Sequence, residues 1–197
     1  MGRLEAAARE GYDRLIGLEL TDVAVDGCLT KAPCGGEVSG PNPTDRGKLG
    51  IKRSTLVDAS GLPLGVVSAP ANRHDSPLLA PTLDLLKDLG PLPESPYVHL
   101  DAGYDSHVTR LLLAERGLQG AIAHKGLPAP VQATKRWPVE RTHAWHNNFY
   151  KLARCTERRQ IVADFYIAFA NTVVLVRRIL RRAWSLYRWD TRPSRRP

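Results

Sequence analysis

Two apolar runs, Gly50 to Asp58 and Leu64 to Ala69, stand on either side of Ala59-Ser60-Gly61-Leu62-Pro63, and this pairing constrains the fold more than any other feature of the chain. Runs of this length broken by Gly and Pro read as the two strands of a β-hairpin. A β-branched run, Thr21 to Cys28, precedes them, so three strands are expected in succession. The pattern then changes. His74-Asp75-Ser76-Pro77 leads into a leucine-rich stretch that reads as a helix with a polar cap and proline in its first turn. Tyr97 to Leu100 is a fourth strand, His107 to Arg116 a helix, and Leu118 to Ala123 a fifth strand. Trp137 through Ala153 is helix-compatible with Pro138 in a first turn, and Glu157 to Trp184 predicts a long basic helix. Leu4 to Leu18 has the spacing of an amphipathic packing helix. A hairpin followed by alternating helices and strands specifies an α/β fold, a mixed sheet with helices on both faces.

At 197 residues the chain fits one domain with appended arms: an N-terminal helix over 1–19, a core over 20–155 and a basic helical C-terminal tail over 156–197. A composition of 43% hydrophobic and 24% charged residues excludes wholesale disorder and collagen-like repeats. The net charge of +8 is unevenly placed. Residues 1–134 carry 13 basic and 16 acidic side chains, a balance of −3; residues 135–197 carry 15 and 4, a balance of +11. The C-terminal third therefore faces polyanions. Cys28, Cys34 and Cys155 form neither a CxxC pair nor an even set, so no zinc ribbon or disulfide framework is expected, and a reducing cytoplasm is the default location. No secretory leader is read at the N-terminus. The most apolar stretch, Ile161 to Val176, contains Asp164 and Asn171, and no membrane partner is expected.

Asp26 and Asp101 each fall where a strand ends, and Glu140 falls near the start of a helix. Position alone favours the plainer role of turn or cap residue. In open α/β sheets, however, groups beyond the strand ends converge on the ligand crevice. Two aspartates sharing a site repel unless a cation sits between them, and magnesium suits so sparse a set of oxygen ligands. A pair of such ions serves in-line phosphodiester chemistry. The loop Thr30 to Gly47, rich in Gly, Pro and Ser, reads as a mobile substrate-side loop.

Five strings taken in order resemble the DDE transposases of bacterial insertion sequences: Val25-Asp26-Gly27-Cys28-Leu29-Thr30-Lys31, Ser54 to Asp58, Ala71-Asn72-Arg73-His74-Asp75-Ser76, Leu100-Asp101-Ala102-Gly103-Tyr104-Asp105-Ser106, and Val139-Glu140-Arg141-Thr142. The resemblance runs from about residue 20 to about residue 185. It implies a ribonuclease-H-like core in which Asp26, Asp101 and Glu140 hold two Mg2+ ions, with Mn2+ as a substitute. It also implies cleavage and joining of double-stranded DNA at terminal inverted repeats, insertion into target DNA, and a homo-oligomer on DNA. Lys31, Arg73, Arg136, Arg141 and Lys151 are the candidate DNA contacts. Arg136 matches the family's arginine four residues before the glutamate. Asn147 stands where the family has lysine, Ala133 where it has tyrosine, and Ala102 where it has a basic residue. Relatives carry an N-terminal recognition domain for which the 25 residues before Asp26 are too few. Two other readings stay open, a catalytically inactive DNA-binding remnant and a metal-dependent nuclease with no joining step.

Around the glutamate, Trp137, Trp145, Phe149 and Tyr150 read as core packing. His143 and His146 are poor magnesium ligands, because magnesium takes oxygen. Cys28 reads as a small buried side chain. The arginines from Arg177 to Arg182, with Arg188, Arg192, Arg195 and Arg196, suit the backbone of a duplex.

Overall fold

Strand β3 (Leu49–Asp58) is the hub around which the sheet is built. Its β-branched and apolar residues are buried along nearly the whole strand, and it pairs antiparallel on one edge with β1 (Asp22–Lys31). On the other edge it meets β4 (Pro63–Pro70), its partner in the expected hairpin, and the two-residue β2 (Gly40–Pro41). β1 then pairs parallel with β5 (Tyr97–Leu100), and β5 with β6 (Gln119–Ile122). The order is β2-β3-β1-β5-β6, with β4 also on β3. This computed structural model describes residues 1–124 and 130–186, and of residues 130–136 the backbone only.

Alternation along the strands divides the core between two faces. Val23, Val25, Leu56, Val98 and Leu100 pack under helices α2 (Ser76–Asp84) and α3 (His107–Glu115), with Leu79, Leu83, Tyr104 and Leu113. On the opposite face Ala24 and Val57 meet Val139 of α4 (Pro130–Asn147). The short α5 (Tyr150–Ala153) and the long α6 (Gln160–Leu186) extend that layer through Leu152, Ile167 and Ala170. Helix α1 (Gly2–Leu15) packs on α6, where Tyr12 joins Leu62, Val174 and Leu175. The mixed sheet with helices on both faces is the ribonuclease-H-like arrangement expected from the sequence.

Three local expectations are corrected. The single helix over Trp137–Ala153 is two, α4 and α5, divided at Asn148 and Phe149, and α4 starts well before Trp137, so Pro138 lies inside it. Asp75 occupies the N-cap position of α2 without capping it; the Ser76 N–H donates to His74 Nδ1 at 3.3 Å instead. Of the aromatics, Trp145 and Phe149 pack against the core, whereas Trp137 and Tyr150 are 58% and 67% exposed. α6 is long and apolar enough to cross a membrane by length and composition, yet it buries Ala163, Ile167, Ala170 and Leu175 within the protein.

The hairpin turn between β3 and β4 depends on Asp58, which is fully buried. Its Oδ1 accepts from the Leu62 N–H at 2.7 Å and from Ser60 Oγ, and its Oδ2 from the Glu19 N–H at 3.3 Å. Burial nevertheless raises its pKa, because desolvation outweighs these bonds. Asp58→Ala would strand the donors, each costing about 1–3 kcal/mol when left unpaired, so a loss of about 3 kcal/mol is expected in urea unfolding.

Candidate active site

The parallel register of β1 and β5 pairs Asp22 with Tyr97, Val23 with Val98 and Ala24 with His99. Carried two residues further, it sets Asp26 beside Asp101 just where β5 ends. Asp26 Oδ1 accepts from the Gly27 N–H at 2.8 Å. Asp101 Oδ1 accepts from the Gly103 N–H at 2.9 Å and so caps a tight turn, Ala102–Tyr104. The cap role read from position and the place at the strand end thus coincide in one residue.

That turn drives Tyr104 inward until only 1% of it is exposed. Burial, and then the nearby carboxylates of Asp75, Asp26 and Asp101, push its pKa far above the ordinary phenol value, so it stays protonated among three acids. Asp75 is the member of this group that sequence reasoning assigned to a helix cap. Its Oδ2 pairs with Lys52 Nζ at 2.9 Å, and its Oδ1 lies 2.2 Å from where a Cβ on Gly27 would stand. Only glycine after Asp26 leaves room for it, which is the one signal in the sequence that could have revealed the contact.

Helix α4 crosses the other face of the sheet from Tyr104, with Val139, Thr142, His143 and His146 turned inward. Thr142 Oγ1 donates to the Gly61 carbonyl at 2.5 Å. Gly61 has φ +76° and a Cβ there would lie 2.9 Å from the Pro138 carbonyl, so helix and hairpin turn meet backbone to backbone. The helix brings His143 Nε2 to 3.8 Å from Asp26 Oδ2. Burial, with Arg53 nearby, lowers the His143 pKa to about 4, so its ring is neutral at pH 7. Glu140 lies one turn earlier on α4 and is exposed.

The arrangement therefore sets Asp26 beside Asp101 and lays the Glu140 helix over β1, with one correction: Asp26 lies in the middle of β1, which pairs with β3 on through Gly27 to Lys31, and only Asp101 stands at a strand end. Among the described residues it gathers no three His, Cys, Asp or Glu side chains into one metal-holding group. The adjacent aspartates are hard oxygen donors of the kind a divalent cation takes, and the inward histidines are not.

The five candidate DNA contacts fall in different places. Lys31 ends β1, exposed, in a bridge with Arg154, and Arg73 is exposed in the turn before α2. Arg141 donates to the Ser60 carbonyl and lies over the Trp145 ring. Lys151 donates to Thr156 Oγ1 at 2.7 Å and to Glu157. The Arg136 side chain and the tail arginines Arg188, Arg192, Arg195 and Arg196 lie outside the described residues. Asn147 accepts a 2.8 Å bond from Arg53 Nη2, which also reaches Cys28 Sγ at 3.2 Å. Arg53 is 1% exposed, a buried cation that the sequence reading did not single out.

Sheet order, with Asp26 on the central strand β1 beside Asp101 at the end of its parallel neighbour β5, places the chain among the ribonuclease-H-like proteins. Residues 19–128 match a family described as "Transposase DDE domain", and residues 98–177 match a second family of the same description. The chain is 36% identical over 169 residues to a protein assigned as the transposase for insertion sequence element IS402 of Burkholderia cepacia, covering 83% of this chain and 76% of that one. It is 33% identical over 107 residues to the transposase for insertion sequence element IS1106 of Neisseria meningitidis serogroup B, covering 54% and 33% respectively. The chain belongs to the DDE transposases of insertion sequence elements.

Proposed function

We propose that this protein cuts DNA at the ends of an insertion sequence and joins the freed ends to target DNA, with Asp26, Asp101 and Glu140 as its catalytic carboxylates. The observation that carries the reading is the register that leads Asp26 to Asp101 beneath the Glu140 helix, within a DDE transposase domain. Asp26 and Asp101, with Glu140 from α4, would hold the divalent cations. Bound there, two Mg2+ ions, or Mn2+, would activate the attacking oxygen and neutralise charge on the leaving oxygen. No covalent enzyme intermediate is needed, because phosphoryl transfer rests on positioning and electrostatics. The chain's own part is to fix the carboxylates: backbone N–H groups bind Asp26 and Asp101, the neutral His143 ring brings Nε2 to 3.8 Å from Asp26 Oδ2, and the buried Tyr104 phenol stays protonated near both. Double-stranded DNA with terminal inverted repeats is the partner, bound by an oligomer of the chain in the cytoplasm.

The test is cleavage and joining of labelled DNA carrying the element's ends, with Mg2+ or Mn2+, by the wild type and by Glu140→Gln. The expected result is activity that disappears in the variant while DNA binding persists. Equal activity in the two proteins would refute the role of Glu140. If neither protein cuts and both still shift DNA, the chain is a DNA-binding remnant.

A further inference from the structure

We propose that the cleft between α4 and α6 beside Trp145 binds the phosphodiester backbone of DNA, at a site separate from the carboxylates. Trp145 follows Glu140 by five residues, which is about 140° around a helix of 3.6 residues per turn, so the cleft and Glu140 occupy different flanks of α4. The guanidinium carbons of Arg141 and Arg178 each lie 5.1 Å from the Trp145 ring centroid. Two cations gathered on one indole repel each other, and the lowered pKa of Arg141, due to burial and then to Arg178, carries the mark of that repulsion. Arg177 and Arg181 line the cleft with Arg178, Arg141 stands at the Trp145 ring just outside that lining, and among the described residues no carboxylate lines it. Asn148 supplies a neutral amide at the rim.

The cleft has a volume of about 100 Å3, room for a phosphate group and too little for a base pair. Arginine forks match phosphate oxygens bidentately, and an anion among them would relieve the repulsion. A long polyanion fits better than a small anion because the cations do not stop at the cleft. Arg182 follows on α6, within a third of the chain whose balance is +11. The site rests on the transposase reading in one respect, that DNA is the polyanion this chain meets. It also gives Arg141 a place away from Asp26, in keeping with its bond to the Ser60 carbonyl.

The test is anisotropy of a short labelled duplex of unrelated sequence titrated with the full chain between 50 and 200 mM salt, for the wild type and the double variant Arg177→Gln, Arg181→Gln. Both arginines are exposed, and an unchanged thermal midpoint verifies the fold. Each lost phosphate contact lowers the slope of log affinity against log salt by about 0.9, so over this fourfold range wild-type binding should fall about tenfold more than that of the variant. Equal slopes would overturn the site. So would displacement of the duplex by millimolar inorganic phosphate at matched ionic strength, which would mark a small-anion site. Equal slopes beside intact wild-type cleavage would remove the cleft and leave the transposase reading standing, whereas a wild type that binds no DNA would remove both.

Discussion

Lowering the pH from 7 to 4 is expected to cost the folded chain about 3 kcal/mol through one histidine, His146. The ring is fully buried, and its Nε2 lies 2.7 Å from Asn171 Oδ1. Asn171 Nδ2 in turn donates to Glu5 Oε1 at 2.7 Å, so the amide oxygen faces His146 and accepts from a neutral ring. Burial, and then the charge of Arg53, lower the His146 pKa to about 3, and the bond to Asn171 pulls the other way and loses. In the unfolded chain the same group takes a proton near pH 6.5. Between those values the unfolded state binds the extra proton, so stability is complete above about pH 6.5 and drains away as the pH falls, at about 1.4 kcal/mol per pH unit. His143, lowered to about 4, adds to the loss in the same direction. A domain of ordinary stability, about 5–15 kcal/mol, would then stand close to acid unfolding at pH 4. Urea unfolding at pH 7, 5.5 and 4.5 measures the effect. His146→Gln, which keeps a donor for Asn171 and removes the titration, should flatten the dependence. A midpoint independent of pH from 7 to 4.5 would show that His146 takes its proton in the fold as readily as in the unfolded chain.

The hairpin strands were legible because they are apolar runs broken by Gly and Pro, whereas β1 runs three residues beyond its expected end at Cys28. Tyr97 to Leu100 lies in the structure as read, and the hairpin strands differ from their expected ends by a residue. The helix over Glu140 was harder. Pro138 suggested a start, but Pro is tolerated inside α4, whose Thr142 hydroxyl donates to the Pro138 carbonyl at 3.0 Å. Asp101 could be placed at a strand end from pattern alone, but Asp26 could not: Gly27 reads as a stop, whereas β1 runs through it to Lys31. Which strands are neighbours, and in what register, is a long-range property that no local pattern encodes. For the same reason Asp75 and Arg53 were missed. Asp75 has the sequence context of a helix cap, yet Lys52 draws its carboxylate to the sheet. Arg53 sits in a run that reads as apolar strand, and its partners Cys28 and Asn147 are 25 and 94 residues away. Charge says that Arg141 and Lys151 are basic and nothing of where they point; both turn to groups within the protein.

Asp101→Asn is expected to reduce strand cleavage at least about a thousandfold, and Asp75→Asn by less than about tenfold. Both carboxylates face Tyr104, so proximity does not separate them. Their partners do. Asp75 is already neutralised by Lys52, itself only 9% exposed, and its other oxygen is buried against Gly27 with no hydrogen-bond donor among the described residues. Asp101 stands at the open end of β5, with one oxygen fixed by the Gly103 N–H and no cationic side chain bonded to it among the described residues. On the proposed reading, removing its charge would take away one of the two aspartates offered to the cation. Metal stabilisation of transition-state charge amounts to several kcal/mol, and about 4 kcal/mol corresponds to a thousandfold in rate. Asp75→Asn acts on the fold instead. It leaves the buried Lys52 ammonium without its counter-charge, at a cost of about 1–3 kcal/mol, and so lowers the thermal midpoint while folded molecules keep cutting. Cleavage of element-end DNA in Mg2+, measured beside thermal midpoints for both variants, separates the two effects. The reverse order, with Asp75→Asn inactive at full stability and Asp101→Asn active, would move the metal pair to Asp26 and Asp75 and reduce Asp101 to the cap of its turn.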